Sequence, residues 1–150
     1  MDMSTSTTIR ASVDTVFSYV TNVSNDIHWR TGVIEAGLRS DTKLEIGVVG
    51  YARGKNAETE WRLVAFTEGE RMDWELISGP FRGTGGYRLE PVTNGTRFTL
   101  VADVEPSGVY RLLGPLFGWV GRRQNQQDVE KLREILESRL TGGISHRILE

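Results

Sequence analysis

From Gly32 to Glu105 apolar side chains recur at every second position, and Gly, Pro and Asn interrupt the pattern at short intervals. Alternation of this kind gives each strand one apolar and one polar face, so the stretch predicts a meander of about six antiparallel strands with a shared dry face. The turns test that prediction, because a two-residue turn fixes which residues lie opposite each other and which face they share. A turn centred on Asn94-Gly95 pairs Leu89 with Leu100, Tyr87 with Ala102 and Gly85 with Val104, and leaves Arg88, Glu90, Arg97 and Thr99 on the reverse. A turn at Glu68-Gly69 pairs Ala65 with Met72, Leu63 with Trp74 and Trp61 with Leu76, with Arg62 opposite Glu75. Joined through Gly79-Pro80, the two hairpins set Leu76 beside Gly83, Trp74 beside Gly85 and Met72 beside Tyr87. One set of faces satisfies all three turns, and in it large aromatics face glycines, which let a sheet bend or leave space above it.

A sheet with one dry face needs a cover, and the flanking segments supply helices. Thr5 to Arg10 reads as a first strand, bringing the expected sheet to about seven strands. Ser12 then offers an N-cap ahead of Val13, Val16, Phe17 and Val20 at helical spacing. A second short helix is expected over Asn25 to Trp29, between a cap signal at Ser24 and Gly32. After Pro106-Ser107-Gly108 the period becomes helical again, to about Leu140. The expected organisation is a single domain over 1–140, followed by a mobile tail over 141–150.

This order of elements resembles the helix-grip fold of the START-like (SRPBCC) superfamily, especially its polyketide cyclase/dehydrase and lipid-transport branch. The resemblance rests on IRASVDTVFSYVTN, DIHWR, EWRLVAFTEGERMDWEL, GGYRLEPVTNGTRFTLVADV and RRQNQQDVEKLREILE, and runs from about Thr5 to Leu140. It implies an α+β fold in which a curved antiparallel sheet carries two short helices, with one long C-terminal helix across its concave face. It also implies an apolar cavity between sheet and long helix, used by members of the superfamily to carry, sense or chemically change hydrophobic molecules. Its motifs are structural and carry no catalytic signature onto this chain.

Bulk properties narrow the function further. Across 150 residues the net charge is −2, with acidic and basic residues interleaved, so no field suited to nucleic acid builds up. The chain has no cysteine, which removes disulfides and thiolate chemistry. No run reaches the roughly 18 apolar residues of a membrane helix and no signal-peptide pattern opens the chain, so a cytoplasmic home is the expectation.

Residues 111–123, RLLGPLFGWVGRR, stand apart. On a helical wheel Gly114, Gly118, Gly121, Asn125, Val129, Leu132 and Leu136 share one side, aliphatic in its second half and glycine in its first. Glycines there permit close approach or leave a void. Leu112, Leu116 and Val120 lie nearly opposite that stripe, with Leu113 less central and Phe117 and Trp119 on the flanks. Either Gly114-Pro115 bends the segment and rolls Leu116 and Val120 toward a cavity mouth, or a straight helix shows an apolar patch for a homodimer contact or a peripheral membrane contact.

Candidates for chemistry are few. Of two histidines, His146 falls in the expected tail and His28 has no spaced partners, so no metal is expected. Neither a nucleophile-elbow motif nor a phosphate-cradling glycine loop is present, and no cofactor is implied. Glu58, Glu60, Asp73 and Glu75 fall on the outer face of the expected register, and the inward side of the last four strands shows no group charged at neutral pH. Tyr87, Arg53, Tyr51 and His28 remain as weak catalytic candidates. The expected ligand-binding set is Trp29, Trp61, Leu63, Met72, Trp74, Tyr87, Leu100, Leu116 and Val120. These residues suit binding or carriage of a small hydrophobic molecule such as a lipid, a quinone or a polyketide-like compound. The alternatives are a cofactor-free cyclase, aromatase or dehydratase using the same cavity, and an interaction module docking through the helix patch.

Overall fold

The computed structural model describes residues 1–149, the side chains of 113 and 140–149 excepted. Its elements run β1 (Thr5–Ile9), α1 (Val13–Thr21), a 3-10 turn (Val23–Asn25), α2 (Asp26–Trp29), β2 (Glu35–Leu38) and β3 (Val49–Arg53). They continue as β4 (Glu58–Thr67), β5 (Arg71–Ser78), β6 (Phe81–Val92), β7 (Gly95–Pro106), a second 3-10 turn (Gly108–Leu113) and α3 (Gly114–Leu149). The tail expected over 141–150 lies outside the residues whose side chains are described.

All neighbouring strands are antiparallel in one seven-stranded sheet, ordered β1-β7-β6-β5-β4-β3-β2. The first strand pairs with the last, Thr5 opposite Leu100 and Ile9 opposite Thr96, so only β1 and β2 are edges. The curved sheet, two short helices and long C-terminal helix make the α+β helix-grip architecture that the resemblance implied.

The turns correct the expected register in detail while keeping its faces. Asn94, with φ 66°, carries the β6–β7 turn, so Val92 pairs with Gly95, Leu89 with Phe98, Tyr87 with Leu100 and Gly85 with Ala102. Gly95 opens β7 instead of closing the turn, and a Cβ there would run into the Ile9 carbonyl oxygen. At the other hairpin three residues, Glu68 to Glu70, form the turn, with Gly69 at φ 77°. Phe66 therefore faces Met72, and Ala65 pairs with Asp73. A bulge between Leu63 and Ala65 restores the expected pairs Leu63–Trp74 and Trp61–Leu76. Trp74 lies opposite Gly85 and Met72 opposite Tyr87, as the alternation requires.

The helices join this sheet through distinct contacts. Ser12 caps α1 by accepting from the Thr15 amide at 3.2 Å, and Val16, Phe17 and Val20 face the core. Ser24 caps nothing: the 3-10 turn runs straight into α2, and its hydroxyl donates to Asn22 Oδ1 at 2.7 Å. Gly114, at φ 57°, breaks the chain before α3, and Pro115 takes the first helical turn. Farther along α3, Val129, Leu132 and Leu136 are buried in the same core as Ile9, Leu63 and Phe98. Thr7 Oγ1 donates to Glu130 at 3.0 Å and the Arg10 amide to Glu137 at 2.9 Å, which tie α3 to β1 and the turn beyond it.

Candidate functional site

A cavity of about 540 Å³ separates the other half of α3 from the sheet and opens to solvent. Its floor is the apolar face of β4 to β7, including Trp61, Met72, Trp74, Leu76, Tyr87, Leu100 and Ala102. Phe117, Val120, Gly121, Gln124 and Asn125 of α3 form one wall, and Asp26, Arg30, Thr31, Gly32 and Val33 another. A second hollow of about 460 Å³ is an open groove beside α1, lined by Asp14, Thr15, Ser18, Tyr19, Asn25, Leu136 and Arg139, with no comparable apolar floor.

The hollow persists because the largest side chains lie flat. A Cβ at Gly50 would collide with the Trp61 indole, and one at Gly85 would stand 2.7 Å from Trp74 Nε1. Each indole therefore rests on the glycine of the neighbouring strand, where any other residue would prop it up into the space. The two rings touch, with centroids 6.2 Å apart. Trp74 meets Tyr87 edge-on at 4.9 Å, and Tyr87 continues to Phe98 at 5.3 Å.

The helix glycines have a different cause from the void that was one of their two expected meanings. A Cβ at Gly118 would collide with the Met1 sulfur and one at Gly121 with the Met3 sulfur. The chain start thus packs against this face of α3, anchored by the Met3 amide on the Ala102 carbonyl at 2.7 Å and by Asn125 Nδ2 donating to the Met3 carbonyl at 3.0 Å. Close approach is the reason for Gly118 and Gly121.

One wall is polar, and its charged groups come from α2, the residue after it and α3, not from β4 to β7. Asp128, 2% exposed on α3, accepts from the Thr31 amide at 3.1 Å and from Thr31 Oγ1 at 2.5 Å. Arg30 Nε lies 3.5 Å from Asp128 Oδ2, and Arg30 Nη2 donates to Asn125 Oδ1 at 3.5 Å. Among the described residues, four buried polar atoms form no hydrogen bond: Asp26 Oδ1, Arg30 Nη1, Asp128 Oδ2 and Trp29 Nε1. Burial pushes the Asp26 carboxyl up to about 7, opposed by the Arg30 guanidinium. Burial likewise raises Asp128, against the pull of Arg30 and the Thr31 hydrogen bonds. The Tyr87 phenol is held well above its ordinary range by burial first and by Asp26 second.

The expected site residues divide three ways. Trp61, Met72, Trp74, Tyr87, Leu100 and Val120 line the cavity together. Trp29 and Leu63 are buried in the core instead, Trp29 against Tyr87 and Phe98 at 6.0 and 6.1 Å. Leu116 is 63% exposed and outside the lining, as are Leu112 and Trp119, with Arg123 over the Trp119 ring. The catalytic candidates other than Tyr87 also lie elsewhere. With Gly50 and Ala52 of β3 turned inward, Tyr51 and Arg53 project from the outer face, where both bond Glu35. His28 is exposed on α2. On the outer face Glu58 and Glu60 pair with Arg39, and Asp73 with Arg71 and Arg88.

Sequence reasoning missed Asp26, Arg30, Asn125 and Asp128. The first two are one helical turn apart in DIHWR, a spacing that signals a shared face, but nothing local shows that Asp128, 97 positions beyond Thr31, would meet them. Among the described residues no group of three or more His, Cys, Asp or Glu side chains is gathered to hold a metal ion. No helix among them is long and apolar enough to cross a membrane.

Known proteins share this fold. The pattern of the family described as polyketide cyclase/dehydrase and lipid transport matches residues 1–140. Among curated proteins none matches the sequence significantly. A START superfamily protein from Mycobacterium smegmatis superposes with a TM-score of 0.77 at 14% identity, over 91% of this chain and 97% of that one. A Bacillus halodurans protein does so at 0.72 and 17% identity, over 91% and 96%. DynU16, from the dynemicin biosynthetic locus, gives 0.67 at 15% identity over 91% of this chain, which spans only 47% of that protein's length. At these identities the likeness is one of fold.

Proposed function

This chain belongs to the polyketide cyclase/dehydrase and lipid-transport family, and from that premise we propose that it binds and carries a small hydrophobic molecule, a lipid, quinone or polyketide-like compound, between the sheet and α3. The observation that carries this reading is the unfilled space of about 540 Å³ above the flat-lying Trp61 and Trp74 indoles. Its size falls within the roughly 300–1,000 Å³ of ordinary small-molecule sites. Each 100 Å² of ligand surface withdrawn from water onto such a floor contributes about 2.5 kcal/mol. Phe117 and Val120, at the start of α3, supply the apolar part of the wall on the helix side.

Native mass spectrometry and displacement of an environment-sensitive apolar dye test the proposal. Retained apolar mass, or dye binding that Trp74→Ala weakens by about tenfold, supports it. Purified protein that is empty and takes up no dye removes it.

A second reading, cofactor-free cyclisation or dehydration of a reactive chain, gains support from the buried Asp26, Arg30 and Asp128 cluster. An acid poised near neutrality beside a confined carbon chain is the equipment for general acid–base work. Turnover of a poly-β-ketone substrate that falls at least a hundredfold in Asp26→Asn, with dye affinity kept, would establish it.

A further inference from the structure

The start of α3 and the 3-10 turn before it leave a run of large apolar side chains in solvent. Val109, Tyr110, Leu112, Leu116, Trp119 and Val120 are all exposed, Leu112 at 91% and Val109 at 77%. Leu116, Trp119, Val120 and Arg123 follow one another at i, i+3, i+4 and i+7, so they share one face of the helix. Phe81 of β6 meets Tyr110 with ring centroids 6.1 Å apart and Phe117 at 5.1 Å, which pins both segments to the end of the sheet.

The charge of this region differs from that of the rest. Residues 106–127 hold three arginines and no acid, in a chain of net charge −2. Arginines on the outer face of the sheet are matched with carboxylates, Arg39 with Glu58 and Glu60, Arg53 with Glu35 and Arg62 with Glu75. Arg111 and Arg123 form no ion pair among the described residues, and Arg123 lies over the Trp119 ring. Arg122 Nη2 donates to the Asp2 carbonyl at 2.8 Å, and the Asp2 carboxyl feels its charge. The acids bordering the segment, Asp103 and Glu105, face the Met1 ammonium at 2.9 and 3.8 Å.

We propose that this face seats the protein on the surface of an anionic lipid bilayer. Side chains this exposed protrude, and they offer no pocket of the kind that a protein partner's anchor residue fills. A headgroup layer accepts apolar side chains without a matching shape. Trp119 and Tyr110 suit the boundary between headgroups and acyl chains, and Arg111 and Arg123 beside them suit lipid phosphates. Charge argues against a second copy, because an isologous contact gathers the arginines of both subunits into one patch with no acid of the segment to answer them. No helix among the described residues is long and apolar enough to cross the bilayer, so the contact is peripheral. Val120 belongs both to the patch and to the cavity wall, and seating therefore holds that wall at the lipid. The contact requires no guest in the cavity and stands apart from the carriage reading.

Co-sedimentation of the full chain with extruded vesicles tests this, with phosphatidylcholine alone and with about 30% phosphatidylglycerol added. The wild-type protein is expected to bind the anionic vesicles at least tenfold more tightly, and to lose most of that binding in about 0.5 M salt. Leu112→Asp and Trp119→Ser, at exposed positions, should each weaken it at least fivefold, and Arg111→Gln combined with Arg123→Gln about tenfold, with thermal unfolding unchanged. Lipid with brominated acyl chains should quench the wild-type fluorescence, and Trp119→Phe should remove most of that quenching. Equal, weak sedimentation with both vesicles, or anionic binding that Leu112→Asp leaves intact, overturns the proposal and leaves the cavity reading untouched. A doubled mass in light scattering without lipid, halved in Leu112→Asp, overturns it in favour of a second copy. Tighter binding to poly-L-glutamate than to the vesicles overturns it in favour of an acidic protein partner.

Discussion

The two halves of α3 lie over the same sheet and do opposite things with it. Toward its C-terminal side, Val129, Leu132 and Leu136 are at most 2% exposed and lock into Ile9, Val16, Val20 and Phe98. Toward its start, Phe117, Val120, Gly121, Gln124 and Asn125 stand over the cavity instead, while Gly118 and Gly121 are taken up by the Met1 and Met3 side chains. A hollow therefore needs no special device. It needs aromatics lying flat on the sheet beneath the start of α3, with a fully packed half to bear the cost in stability.

The largest expected effect strikes the packed half. Leu132→Ala should cost about 3–5 kcal/mol in urea denaturation, since the fully buried site cannot collapse, and should leave dye affinity unchanged. A cost under about 1 kcal/mol would mean that the two halves are alike.

Next comes the polar wall. Asp26 binds protons more tightly in the folded protein than in the unfolded chain, so between about pH 4 and pH 7 the native state holds more protons and stability falls as pH rises. The groups that interact with it are Arg30 of its own segment and Tyr87 of β6, and Asp128 of α3, paired with Arg30, shifts in the same direction. Asp26→Asn should therefore raise stability by about 2 kcal/mol near pH 8, the gain fading toward pH 4. A gain that does not vary with pH would show that burial of the charge is not its source.

Smaller still, Gly85→Ala should drive the Trp74 ring up into the cavity. The expected cost is about 1–2 kcal/mol of stability, because the ring has somewhere to go, with dye binding weakened at least fivefold. The same overpacking in the closed half would cost stability and spare binding, so an unchanged dye affinity in Gly85→Ala would break the contrast. Least affected should be Leu112→Asp, at 91% exposure, with a change within about 0.5 kcal/mol in thermal unfolding.

How far each feature could be read in advance follows from the range of the interaction behind it. The strand faces were legible because alternation is strictly local: Trp61, Met72, Trp74, Tyr87 and Leu100 fall on one side whatever the turn. Their partners were less so. Whether Gly95 closes a turn or opens a strand depends on the Ile9 carbonyl lying against it, and Ile9 is on the opposite edge of the chain's course. For Tyr51 and Arg53 no turn fixed the register of β3, and only the Gly50–Trp61 contact turned them outward.

By itself the sequence determined the α+β layout, the dry face of the sheet and the apolar clamp of the last helix, and left the break at Gly114-Pro115 as one of two alternatives. Those features follow from side-chain period, turn chemistry and caps, which act over a few residues. Tertiary structure alone decided that Met1 and Met3 would fill the glycine stripe, that the indoles would lie flat and that Asp26, Arg30 and Asp128 would converge. Each of these depends on segments distant in the chain meeting in space, where burial turns an ordinary acid and base into a cluster with unspent hydrogen bonds.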